Sequence, residues 1–179
     1  YNSFATSAGS AGLTLYKGAA RVRNSIFYGN RVLPGSYTGA DLKLSGNSGW
    51  MDVDYCMFGS LDASCVATNA GCTLVVGGHV KVGDPKFVTS VTDYAALLTP
   101  TNVSTLATYA YLPDAATYEK VMALNAHLRG NCGYVDEKTG VVVGGKSPAI
   151  DAGDPEADYK NEPYPNGHRV NLGFYGNTP

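Results

Sequence analysis

The chain has 179 residues, including 22 glycines and 9 prolines, with 16% charged residues and a formal net charge of −2. This length fits one domain with a sizeable core, and the composition favours strands and turns over helical bundles. The weak net charge offers no electrostatic footprint for nucleic acid, and no stretch approaches the roughly 20 apolar residues of a membrane span. We therefore expect a β-rich domain with no nucleic-acid partner and no membrane span.

The first half of the chain contains an internal repeat of about 30 residues. GLTLYKGAARVRNSIFYGN at 12–30 aligns with ADLKLSGNSGWMDVDYCMFGS at 40–60, and CTLVVGGHVKVGDPKFV at 72–88 is a looser third copy. The alignment matches four apolar residues of the first copy with four of the second: Leu13 with Leu42, Leu15 with Leu44, Val22 with Val53, and Phe27 with Phe58. Each copy is expected to form two short strands joined by a glycine-containing turn, without a crossover helix. Such repetition over residues 13–88 predicts a parallel β-solenoid, in which each coil covers the apolar side of the next.

Two carboxylates stand close together in the second copy. Asp52 and Asp54 lie two residues apart on a strand, so their side chains leave the same face. Adjacent parallel strands lie about 4.8 Å apart, which places residues of the neighbouring copies beside them. The aligned basic or titratable residues are Arg21, Arg23, His79 and Lys81. We interpret the set as a structural charge ladder, with a calcium-holding or catalytic pair as the alternative.

The four cysteines do not follow the spacing of a zinc site. Cys56, Cys65, Cys72 and Cys132 contain no C-x-x-C pair. Cys65 and Cys72 flank a short polar stretch, so a small disulfide loop and two free thiols both remain open. Cys56 lies in an apolar strand pattern and is expected to be a buried thiol.

Residues 89–125 depart from the repeat, and we interpret them as an insertion containing a short helix. In LPDAATYEKVMALN at 112–125, a proline occupies a plausible first helical position. Tyr118, Val121 and Met122 then recur at helical spacing. We expect about three turns of helix, packed by its apolar stripe over a face or edge of the solenoid.

Residues 126–179 are predicted to form the terminal coil and its closing turn. KSPAIDAGDP at 146–155 places Asp151 and Asp154 around an Ala-Gly step. Aspartate before glycine commonly bonds its own backbone in a turn, whereas calcium needs about six to eight oxygens held by one loop. We therefore predict a structural turn rather than a metal site, preceded by a short extended strand in which Ile150 is buried.

The ordered set of motifs resembles the C-terminal portion of secreted right-handed parallel β-helix surface proteins with a pectate-lyase-like fold. The motifs are NSIFYGN at 24–30, VDYCMFG at 53–59, VGDPKFV at 82–88 and SPAIDAGDP at 147–155. The chain has Gly-Phe-Tyr-Gly at 173–176 where that family usually ends in Gly-Ala-Tyr-Gly. The resemblance implies an all-β, right-handed parallel β-helix at an extracellular or cell-surface location. Its members include polysaccharide lyases, adhesins and proteins without known activity, so the fold leaves the function open.

We interpret the whole chain, 1–179, as one β-helix domain that acts as a non-catalytic structural or adhesive module and needs no cofactor. The alternatives are a polysaccharide lyase or other carbohydrate-active enzyme fragment, with calcium, and a self-assembling fibre subunit. No nucleophile motif, phosphate loop or dinucleotide fingerprint is present in the sequence, so no catalytic residue is assigned. Tyr159, Tyr164 and Tyr175 lie in loop-like segments where a ring could stack on polysaccharide, and they are the candidate ligand-binding residues.

The N-terminal lead YNSFATSAGSAG has no amphipathic helix that could cap a solenoid. An open coil exposes apolar core and unpaired backbone groups. We therefore expect either a preceding part of a longer chain before Tyr1 or head-to-tail self-association, which does not close into a ring. The alternative is that the insertion folds back over the open end.

Overall fold

The structure, a computed structural model, describes residues 3–4, 12–32, 39–88, 125–130, 134–135, 140–162, 164 and 166–177. These residues form strands and no helix, and none of them provides a helix that could cross a membrane. The strands are β1 (Ser3–Phe4), β2 (Leu13–Val22), β3 (Ile26–Phe27), β4 (Arg31–Val32), β5 (Leu42–Val53), β6 (Met57–Phe58), β7 (Val66–Thr68), β8 (Thr73–Val76), β9 (Lys81–Val82), β10 (Tyr134–Val135) and β11 (Val142–Val143). The described part is therefore all-β, while the helix predicted at 112–125 lies, apart from Asn125, outside the described residues.

Two parallel sheets run through the repeat. In the first, β2 pairs with β5, and both β7 and β8 pair with β5 on its other side; in the second, the order is β3-β6-β9. The four residue matches of the sequence repeat are strand partners in these sheets: Leu13 with Leu42, Leu15 with Leu44, Val22 with Val53, and Phe27 with Phe58. The predicted register between the first two copies is confirmed.

The expected glycine turn inside each copy takes two forms. In the first two copies the chain stays in one long strand, and the register of β2 and β5 shifts between Leu15 and Lys17. Gly46 has φ 90° there, and a β-carbon on it would overlap the backbone oxygen of Tyr16, so glycine is required. Before the third copy the chain turns fully between β7 and β8, where Gly71 has φ 82°. Within the third copy, a turn that contains Gly77 and Gly78 joins β8 to β9. The prediction of two short strands therefore holds only for the third copy.

The main core lies between the two sheets. It consists of seven buried residues: Phe27, Leu42, Leu44, Met51, Val53, Cys56 and Phe58. The rings of Phe27 and Phe58 stack with their centroids 4.9 Å apart. These aromatic strand partners from neighbouring copies therefore lie one above the other along the second sheet. Burial of apolar side chains in register is the expected source of stability for such a stack.

The C-terminal segment, defined here as the described residues of 146–177, covers the other face of β3 and β6. Met57 packs there with Ala149, Ala152 and Leu172. Ala149 is fully buried whereas Ile150 is only half-buried, so the predicted burial of Ile150 is wrong. The reason is local: residues 148–151 form a turn rather than an extended strand, which breaks the assumed alternation.

The three described cysteines are free thiols. Cys65 precedes Val66, which pairs with Leu42, whereas Cys72 precedes Thr73, which pairs with Trp50 near the other end of β5. A disulfide requires closer approach, so the disulfide alternative for this pair is not realised. Cys56 is buried as expected, and burial raises the pKa of its thiol to about 11. Cys132 lies outside the described residues.

Candidate functional site

Charged side chains of the repeat meet where β2 and β5 end. Asp52 is the strand partner of Arg21, whose Nε lies 3.9 Å from Asp52 Oδ2. Arg23 makes the stronger contact, donating from Nη2 to Asp52 Oδ2 at 2.5 Å and from Nη1 to the Asp52 backbone oxygen at 3.0 Å. The side-chain hydrogen bond to Asp52 raises the pKa of Arg23, so the guanidinium stays charged.

Asp54 lies just after β5 and is held by the third copy. Its Oδ2 is 3.0 Å from His79 Nδ1, and its Oδ1 accepts backbone N–H bonds from His79 and Tyr55, each at 2.9 Å. Burial acts to raise the pKa of Asp54, but these hydrogen bonds together lower it below its ordinary value. Asp54 is therefore a carboxylate at neutral pH with both oxygens engaged. Arg21, Arg23, Asp52, Asp54 and His79 are called the charge corner below.

Lys81 is not part of the charge corner, which corrects the predicted ladder. Lys81 is the strand partner of Met57 in the second sheet, and the partner of Asp52 in the third copy is Val75. Three residues separate Val53 from Met57, but four separate their partners Val76 and Lys81. This extra residue lengthens the turn of the third copy, so His79 reaches Asp54 from the turn and not from a strand.

Arg169 joins the charge corner from the C-terminal segment. The rings of Tyr55 and His79 stack with centroids 4.3 Å apart, and Arg169 Cζ lies 5.5 Å from the centroid of Tyr55. Arg169 Nε donates to the backbone oxygen of Gly153 at 2.5 Å. No local sequence pattern pointed to Arg169, because its neighbours lie far away along the chain.

A cleft of about 240 Å³ opens between the third copy and the C-terminal segment. The turn 78–81 lines one side, with His79 and Lys81, and Asp151, Ala152 and Arg169 line the other. Lys146 Nζ lies 3.1 Å from Asp151 Oδ2 at this site. The cleft is therefore bordered by more cationic than anionic groups.

The predicted turn around Asp151 and Asp154 is held by hydrogen bonds. Asp154 Oδ1 accepts the backbone N–H of Glu156 at 3.0 Å, as in an aspartate turn. Asp151 has φ 56°, and its backbone N–H donates to Asn171 Oδ1 at 2.8 Å. Among the described residues, no group of three His, Cys, Asp or Glu side chains could hold a metal ion.

Glu162 has a buried carboxyl group that no sequence pattern singled out. It is 5% exposed, and its Oε1 accepts backbone N–H bonds from Asn171 at 2.6 Å and Asn177 at 2.9 Å. Its Oε2 accepts the side-chain amide of Asn171. All three bonds lie within the closing turn, so Glu162 fixes the shape of the segment that carries Arg169.

The candidate ligand-binding tyrosines lie in different surroundings. Tyr164 is 91% exposed, whereas Tyr159 packs edge-on to His168, with ring centroids 5.9 Å apart. The ring of Tyr175 stacks on His127 at 3.8 Å. Tyr164 alone presents a largely open ring for a ligand, and sugar contact by these residues stays a prediction.

No family model, curated protein or solved structure matches this chain. The resemblance to pectate-lyase-like β-helix proteins therefore stays a hypothesis based on the motifs. The chemistry of the site rests on its own geometry, which consists of two paired carboxylates beside a cationic cleft.

Two adjacent glycines give a matched test of the charge corner. A β-carbon on Gly77 would overlap the side chain of Asp54, whereas a β-carbon on Gly78 would meet nothing within 4 Å. We expect Gly77→Ala to displace Asp54 from His79 and to lower the free energy of unfolding by about 1–3 kcal/mol. Gly78→Ala should change it by less than about 0.5 kcal/mol. Urea unfolding of both variants measures the difference, and equal effects would refute the assigned contact.

Proposed function

We propose that the chain forms part of a right-handed parallel β-helix that acts as a non-catalytic structural or adhesive module of an extracellular or cell-surface protein, in contact with polysaccharide. The main support is the equal offset, between the first two copies, of the end of the first sheet and of the second sheet. Val22 pairs with Val53 in one sheet and Phe27 with Phe58 in the other, and both pairs are 31 residues apart. A stack of equal coils requires such an offset, because every strand of one coil must lie on the same strand of the next.

The charge corner supports a structural role over calcium-dependent lyase chemistry. A carboxylate pair that binds calcium needs free oxygens, as part of about six to eight ligands. Asp52 already accepts from Arg23, and Asp54 accepts from His79 and two backbone N–H groups. These contacts occupy oxygens of both carboxylates and join three neighbouring copies, so their contribution lies in fixing register.

An activity screen tests the non-catalytic role. The purified chain is incubated with acidic and neutral polysaccharides, with calcium or with a chelator, and unsaturated sugar ends are followed by ultraviolet absorbance. We expect no product under any condition. Calcium-dependent product that disappears in the double variant Asp52→Asn, Asp54→Asn would establish the lyase alternative instead.

The fibre-subunit alternative has one observation in its favour. The third copy exposes three valines on the last coil that the structure describes: Val75, Val76 and Val82, with 41%, 45% and 57% of their surface accessible. Apolar residues on the open side of a coil suit a second copy stacked on it. Light scattering over a concentration series should then show growing particles that Val75→Lys with Val82→Lys suppresses. A monomer at every concentration would exclude this alternative.

A further inference from the structure

The cleft between the third copy and the C-terminal segment contains cations without acidic partners. The four ion pairs among the described residues use Arg21, Arg23, His79 and Lys146, and none uses Lys81 or Arg169. The carboxylate of Asp151 in the cleft is paired with Lys146, and Asp54 behind His79 is fully engaged. Lys81 and Arg169 therefore face a concave space in which the nearby carboxylates already have hydrogen-bond or ion-pair partners.

Arg169 is held in place for binding. Its Nε bonds to Gly153 and its guanidinium lies over Tyr55, which restricts its rotamers. The described residues accept no hydrogen bond from its Nη groups, and neither Nη is among the buried polar atoms that lack a partner, so these groups are open to solvent. A fixed guanidinium with free N–H donors is the preferred protein partner of oxyanions with several oxygens.

We propose that the cleft is a binding site for a sulfate or phosphate group, held by Arg169 and Lys81 with His79 at its border. The volume of about 240 Å³ accommodates the anion together with part of a small molecule that carries it. Arg169 supplies two-point recognition and Lys81 supplies a mobile point charge. The site lies beside the charge corner and uses none of its ion pairs, so it is independent of the role of Asp52 and Asp54.

Nuclear magnetic resonance titration at low ionic strength tests the site. The chain has 3 histidines, so the ring signals of His79 are readily assigned. Inorganic sulfate and inorganic phosphate should shift the His79 signals saturably, with one anion bound per chain. Lys81→Gln and Arg169→Gln should each weaken binding by about tenfold, because each removes a charge-assisted contact. Lys160→Gln, which removes an exposed lysine outside the cleft, should leave the affinity unchanged.

A second arm identifies the source of the anion. Tighter binding of galactose 6-sulfate than of inorganic sulfate supports a sulfated sugar as the ligand, and the reverse order supports a free oxyanion. Because Arg169 also bonds to Gly153, Lys81→Gln, which alters only an exposed side chain, is the decisive variant. Unchanged affinity in Lys81→Gln, or no saturable shift in the parent chain, would overturn the proposal. Neither result bears on the activity screen, so this inference and the proposed function fail separately.

Discussion

Phe58→Ala is expected to lower the free energy of unfolding by about 3–5 kcal/mol, the largest effect of any single change considered. Phe58 is 2% exposed, its ring stacks on Phe27 of the first copy, and its backbone pairs with Val82 of the third. Its removal leaves a cavity inside the stack that neighbouring strands, fixed by their ladders, cannot close. Chemical denaturation followed by circular dichroism measures the loss.

Phe174→Ala is the matched control for Phe58. It removes the same side chain from the closing turn, where Phe174 is 85% exposed. We expect a change of less than about 0.5 kcal/mol. Comparable losses for the two variants would contradict the assignment of Phe58 to the core between the two sheets.

Glu162→Ala is expected to cost on the order of 3 kcal/mol. The change leaves the backbone N–H groups of Asn171 and Asn177, together with the Asn171 amide, without their acceptor in a buried turn. A buried N–H donor without an acceptor costs more free energy than its hydrogen bond contributes, because the donor has also lost its hydrogen bonds to water. The same denaturation experiment provides the measurement.

A graded series separates the carboxylate of Glu162 from its bulk. Glu162→Gln keeps an oxygen that can accept both backbone N–H bonds. Its new NH₂ group, however, would face the NH₂ group of Asn171, so that two donors meet. Asn171 cannot simply flip, because its Oδ1 accepts from Asp151. We expect a loss of about 1 kcal/mol, between Glu162→Ala and the exposed control Glu156→Gln, which should be neutral. Equal effects of the alanine and glutamine variants would contradict the hydrogen-bond account.

The register of the first two copies could be predicted because their apolar residues recur in the same order and must stack on one another. Leu13 with Leu42 and Phe27 with Phe58 are such positions, and the structure pairs them. The prediction placed His79 and Lys81 opposite Asp52 and Asp54, 27 residues further along the chain, whereas Asp52 pairs with Val75, 23 residues further along. The third copy is shorter than the first two and matches them only loosely, so its sequence did not define this offset.

The parts of the site that the sequence did not reveal depend on distant contacts. Arg169 reaches Tyr55, and Asn24 bonds to Asp154, through pairings that no local pattern specifies. In the sequence Glu162 cannot be told from a surface glutamate, because its N–H donors come from Asn171 and Asn177 in the folded closing turn. Ile150 was assigned to the core by strand alternation, but the chain turns there and buries Ala149 instead.

The bonds of Asn24 have a consequence for the order of folding. Its backbone oxygen accepts from Gly173, and its side-chain oxygen accepts from Asp154, 130 residues further along the chain. The three copies can stack through contacts of about 30 residues in range as soon as they are synthesised, whereas these bonds must wait until Asp154 and Gly173 have been synthesised. Until then, the outer face of β3 and β6 lacks its cover and Met57 remains exposed. The C-terminal segment therefore docks on β3 and β6 late in folding. A nascent chain in which this segment has not yet been synthesised presents an apolar surface to chaperones.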